Sequence, residues 1–154
     1  MISELTHMQF DFRPEDIHSD LSRRFYKLWL SKNAEVSYLP SLSAFSEEEL
    51  APFRHQMFIF EVHRNPLRFK VIFSGSANNE KLGFDATGQF MEDIPDAHRG
   101  IPRFERAVLE EKPYIAKVPL YWAGKEHKYF HVLQVPLSNN GRELDTMIFI
   151  NQYP

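Results

Sequence analysis

The chain has 154 residues, enough for one domain with a core of its own. Its 18 Lys and Arg against 21 Asp and Glu leave a formal charge of −3, and no basic cluster is longer than Arg23-Arg24, which argues against a nucleic-acid partner. There is no cysteine, which excludes disulfides, thiolate metal sites and cysteine nucleophiles.

The N-terminal stretch MISELTHMQFDFRPED lacks a basic region followed by an apolar one, so no signal peptide is expected. No apolar run approaches the ~20 residues that span a bilayer, and a cytoplasmic protein with no membrane partner is the expectation. Residues 1–16 are polar, contain Pro14 and read as a tail, with a single domain over 17–154.

From Ile17 the apolar residues Ile17, Leu21, Phe25, Leu28 and Trp29 recur at helical spacing, predicting an amphipathic helix that ends near Asn33. Tyr26 and Leu30 widen its apolar face. Ser46, three residues before Glu49, is a capping box for a short helix limited by Pro52. The runs QMFIFEVHR and LRFKVIFSG flank Asn-Pro and predict an antiparallel hairpin. In the second strand Leu67, Phe69, Val71 and Phe73 alternate with Arg68, Lys70, Ile72 and Ser74. In the first, Phe58, Phe60 and Val62 alternate with Met57, Ile59 and Glu61, so both faces of the sheet carry apolar residues.

Ser76 is expected to cap one helical turn ending at Gly83, a left-handed terminator. IPRFERAVLEEKP reads as a helix with Pro102 in its first turn and Pro113 beyond its end. Three strands follow, near 113–122, 128–137 and 146–152, joined by hairpin-like connections. The resulting order predicts an α+β fold: one five-stranded antiparallel sheet, short helices across one face and an N-terminal amphipathic helix.

In this order the chain resembles the PAS domain family, and in particular a bacterial subfamily of stand-alone single-domain proteins. The pieces that carry the resemblance are FYKLWLSKNAEVSYLPSLSAF, FIFEV, RFKVIFSGS, LGFDATGQFMEDI and LQVPLSNNGRELD, and the resemblance covers residues 18 to 152, nearly the whole chain. Ile72 stands where that subfamily tends to have Arg. The resemblance implies a sensory or regulatory module in signal transduction that binds a small molecule or a protein partner and carries out no chemistry itself. It also implies that the glycine-rich segment after the second strand wraps over the concave face of the sheet. Neither a P-loop nor a nucleophile elbow is present there.

Aromatic residues are abundant, with 14 Phe, 6 Tyr and 2 Trp, and they either pack solid or line a pocket. The candidate ligand-binding residues are Phe69, Phe73, Phe84, Phe90, His98, Phe104, Val108, Tyr121, Tyr129 and His131. His98 lies just before the connecting helix, and haem-binding members of the family place their histidine on that helix, so a haem sensor is an alternative; a loop residue that caps or faces solvent is the other reading. His127 and His131 lie four apart on a strand, about 13 Å along the chain, too far to share one ion. No metal site and no cofactor are expected. No nucleophile, base and oxyanion donor assemble in the sequence, so no catalytic residues are assigned. The leading helix can cover the sheet's outer face, with Leu21, Phe25, Tyr26, Trp29 and Leu30 as candidate interface residues of a homodimer. A ligand-free interaction or dimerisation module is the second reading.

Overall fold

A computed structural model describes residues 8–120 and 125–154, with side chains apart from those of 125–127. Tyr121 and the side chain of His127 therefore lie outside the described residues. The elements are β1 (Met8–Gln9), α1 (Asp20–Asn33), α2 (Glu47–Leu50), β2 (Met57–His63), β3 (Arg68–Ser74), α3 (Ser76–Leu82), α4 (Ile101–Glu110), β4 (Tyr114–Leu120), β5 (Lys125–Leu137) and β6 (Thr146–Gln152). Single 3-10 turns fill the connections, among them Met91–Asp93 and Ala97–Gly100.

The strands form one antiparallel sheet in the order β1-β4-β5-β6-β2-β3. The fold class is α+β, as the sequence predicts, with a sixth strand added. Met8 and Gln9 pair with Ala116 and Ile115 at the β4 edge, and Phe10 packs its ring 5.4 Å from that of Tyr114. The segment read as a tail therefore joins the fold from Met8 onward.

α1 starts at Asp20, three residues later than the apolar spacing suggests, because Ser19 caps it by accepting from the Ser22 N–H at 3.1 Å. Ile17 is buried all the same, ahead of the helix. The capping box at Ser46 and Glu49 forms in both directions. Gly83 ends α3 with φ 88°, the left-handed conformation a glycine tolerates. At the other end of α3 the expected cap moves: Gly75 is the N-cap and Ser76 is the first helical residue, its hydroxyl contacting His55 Nδ1.

α1 lies on one face of the sheet, and α3, the 3-10 turns of residues 91–100 and α4 lie on the other. Phe25 and Trp29 are buried beneath α1, and Trp29 Nε1 donates to the Pro136 carbonyl at 3.0 Å. The Tyr26 ring lies 5.0 Å from that of Phe12, tilted by 46°, so the chain's own leading segment covers part of it. Leu21 is half-buried and Leu30 is exposed. Both faces are thus covered within one chain, which is why β5 and β6 are buried at nearly every position from Val132 to Leu137 and from Thr146 to Asn151.

The register corrects one expectation. Phe60 pairs with Val71 and Ile59 with Phe73, so Ile72 is an extra residue in β3. A bulge of this kind shifts the alternation by one position. Phe69, Val71 and Ser74 share the face of Phe58 and Phe60, whereas Phe73 turns to the α1 side beside Ile59. There it is only half-buried. Phe73→Ala is accordingly expected to cost about 1–2 kcal/mol in urea unfolding, below the ~3–5 kcal/mol of a fully buried phenylalanine. A loss in the upper range would return Phe73 to the face covered by α3 and α4.

Candidate functional site

Between the sheet and the helices of residues 76–110 is a small cavity of about 60 Å³. Its floor is built by side chains that the pairing register brings to one face: Phe58 and Phe60 of β2, Phe149 and Asn151 of β6, Phe130 of β5 and Val118 of β4. Its roof is Leu82, Met91, Ile94, Ala97, Gly100, Arg103 and Phe104. Asp96, in the left-handed region at φ 62°, stands at the rim.

Aromatic contacts make up one wall. Phe104 stacks on Phe149 at 4.6 Å and 16°, and meets Phe60 edge-on at 4.8 Å and Phe69 at 5.2 Å. These are the offset and T-shaped arrangements that ring quadrupoles favour. Beside them Arg103 is buried, 4% exposed, and its Nη1 donates to the Tyr114 hydroxyl at 2.8 Å.

The opposite end is polar, and its orientation follows from one fixed bond. Asn78 Nδ2 donates to the Met57 carbonyl at 2.9 Å, which leaves Asn78 Oδ1 as an acceptor. Into it donate the Tyr153 hydroxyl and, at 3.2 Å, Asn151 Nδ2. With its amide nitrogen committed, Asn151 has its Oδ1 buried and without a partner among the described residues, in a side chain that lines the cavity. Burial pushes the Tyr153 hydroxyl's pKa up, so it stays a neutral donor and the network keeps this polarity. On the same face Gln134 is fully buried opposite Tyr114 and Phe149, and its amide has no partner among the described residues. Buried polar atoms in folded proteins nearly always have a partner, so an apolar cavity with an orphaned acceptor is a place prepared for a donor.

The structure brings few of the sequence-derived candidates to this cavity. Phe104 lines it, and Phe69 packs directly behind Phe104. Val108 packs on the core from α4 without lining the cavity. Phe73 faces the other side. Tyr129 and His131 do too: they pair with Pro119 and Lys117, on the face that carries α1, with Tyr129 36% exposed. Phe84 is exposed. Phe90 is half-buried beneath the Arg68 guanidinium, 3.6 Å from its ring centre, and bridges the β3 edge. His98 is exposed on its 3-10 turn and is not part of the cavity wall.

Reading the sequence missed Asn78, Asn151 and Arg103. For Asn151 a signal was present. In TMIFINQ it is the polar residue two positions from Phe149, and hence on the same face of a strand.

An antiparallel sheet with β5 and β6 at its centre, a run of short helices over one face and a leading helix over the other is a PAS-like fold. No protein-family model matches the sequence, and no curated protein matches it. Several solved structures are loosely similar. One is a domain of an HTR-like protein from Haloarcula marismortui ATCC 43049, at 16% identity and a TM-score of 0.46, over 64% of this chain and 97% of that one. Another is an RNA-binding Light-Oxygen-Voltage receptor, at 14% identity and a TM-score of 0.47, over 77% of this chain and 36% of that one. Neither likeness carries information about a ligand or a partner here.

Proposed function

We propose that the chain is a non-catalytic sensory module of bacterial signal transduction, acting in the cytoplasm by binding a small molecule in the cavity under α4. The observation that supports this most directly is Asn151 Oδ1, an acceptor fixed by its neighbours and without a partner among the described residues, in a side chain that lines an apolar cavity. An occupant would be mostly apolar and carry one N–H or O–H donor. Volume bounds it further. A rigid apolar cavity of about 150 Å³ takes benzene, and this one is under half that. Haem and flavin are far larger, and His98 stands outside the wall, so the haem alternative has no support in the geometry. Anything of benzene's size or above requires the roof of residues 91–100, built of single 3-10 turns, to shift outward.

The same small volume favours a second reading, in which the aromatic interior packs nearly solid and the module works by association alone. Here the apolar residues Leu30 and Val36, 39% and 46% exposed at the end of α1, are the surface a second copy would cover in a homodimer. Among the described residues no helix is long and apolar enough to cross a membrane, which fits a partner that is a protein or a small molecule.

One measurement separates the readings. Native against denaturing mass spectrometry of the purified chain is expected to show an added mass that denaturation removes, on a dimer. Identical masses under both conditions reject the bound molecule and leave the association module. A monomer at micromolar concentration rejects the dimer.

A further inference from the structure

On the α1 side of the sheet is a second and larger recess, about 240 Å³, between β4–β5 and the start of α1. His18, on the segment leading into α1, lies flat on His131 of β5 with ring centres 3.6 Å apart and planes 4° from parallel. Lys117 is His131's partner in the ladder, so its side chain stands on the same face. Ser22, in the first turn of α1, is 4% exposed and lines the recess. Its N–H is taken by the Ser19 hydroxyl, while its own hydroxyl has no partner among the described residues. The positive end of the α1 dipole is here as well.

Two imidazoles, an ammonium and the Ser22 hydroxyl line the recess, with the Asp16 carboxylate as the acidic group of the lining. Asp16 keeps its charge, but its carboxylate is tied to the leading segment by accepting from the Arg13 backbone N–H at 2.9 Å. Asp20 is 3.4 Å from both Arg23 and Arg24. Gln9 of β1 and Gln152 of β6 are uncharged, and Tyr129 stands under the Lys117 ammonium, 4.7 Å from Nζ to the ring centre. The described residues offer no group of three His, Asp or Glu able to hold a metal ion, and Lys117 would repel one.

We propose that this recess binds a small oxyanion, a carboxylate or a phosphate, through Lys117, the Ser22 hydroxyl and the His18 and His131 rings. Burial, His18 and Lys117 together push the His131 pKa down. An anion opposes the last two effects by favouring the imidazolium, so binding strengthens as the pH falls through the histidine range. Because His18 belongs to the leading segment and His131 to the sheet, the anion would also clasp one to the other. This is independent of the cavity under α4.

The histidine ring C–H resonances of the full chain, followed by NMR in a chloride medium, test this with inorganic phosphate and acetate as separate probes. Acetate is fully ionised well above its carboxylate range, so any pH dependence it shows belongs to the protein. The His18 and His131 signals are expected to move together and saturate with at least one probe, with affinity at least ~5-fold weaker at pH ~8 than at pH ~6. Lys117→Ala, an exposed position, is expected to weaken binding at least ~5-fold, and Ser22→Ala to weaken it measurably. Saturation by one anion alone identifies the source. The proposal is overturned if neither anion saturates, if chloride at equal ionic strength reproduces the shifts, if affinity is flat with pH, or if Lys117→Ala binds as the parent does.

Discussion

Phe104→Ala is expected to destabilise the protein by about 3–5 kcal/mol, the range for truncating a fully enclosed phenylalanine. That is a large share of the ~5–15 kcal/mol that holds a typical domain together. The ring is 3% exposed and touches Phe60, Phe69 and Phe149 at centroid distances of 4.6 to 5.2 Å, so its removal takes three aromatic contacts with it. The space released adds to a cavity already present, which the side chains around it cannot close by moving a single rotamer. Enlarged in this way, the interior approaches the ~150 Å³ that admits benzene. Urea unfolding with and without benzene reads both effects: a loss in that range, partly restored by the ligand. A loss below about 1 kcal/mol would mean that the ring does not close the cavity. A smaller loss with no recovery on benzene would mean that the interior collapses around the missing ring.

Gly75→Ala is expected to cost at least about 3 kcal/mol, and for a different reason. Gly75 has an ordinary φ of −70°, so conformational freedom is not what the position demands. An added Cβ would sit 2.1 Å from the Arg54 carbonyl oxygen and 2.5 Å from that of His55, both backbone atoms that no rotamer change can move. The Gly75 N–H also donates to the Met57 carbonyl at 2.8 Å, so relief of the clash breaks that bond. Asn78 donates to the same carbonyl, which makes the polarity of Asn151 depend on this close approach. Gly88→Ala is the control. Its φ is +92° and nothing lies within 4 Å of the new Cβ, so the cost is the ~1–2 kcal/mol of a left-handed residue. Unfolding midpoints of the two variants measure the difference. Equal losses would mean that the backbone contact at Gly75 is not what constrains it.

Much of the secondary structure could be read from local rules. α1 and α4 follow from apolar residues at helical spacing, the capping box at Ser46 from two residue types three apart, and the end of α3 from Gly83. These features depend on interactions within one or two turns of chain, so the residues that decide them are adjacent in sequence. The α+β class followed from the order of such elements along the chain, and the resemblance to PAS domains rests on the same order. The candidate site was less legible. Phe104 was identified because α4 is amphipathic, whereas Asn151, Arg103 and Asn78 acquire their roles only when β6, α4 and α3 meet.

What the sequence alone determined is therefore the main elements from α1 onward, their order along the chain and the fact that both faces of the sheet would carry apolar residues. Which residues share a face was decided by the tertiary structure. In a sheet with one wet face, alternation between apolar and polar residues reports the register. Here α1 covers one side and α3 with α4 the other, so the alternation is lost: Val132, Leu133, Gln134, Val135, Pro136 and Leu137 are buried without a break. A one-residue bulge at Ile72 then moves Phe73 across the sheet, and the pairing of β4 with β5 sends Tyr129 and His131 to the α1 face. Nothing local marks either event, because a hydrogen-bonded register is a property of two strands and not of one.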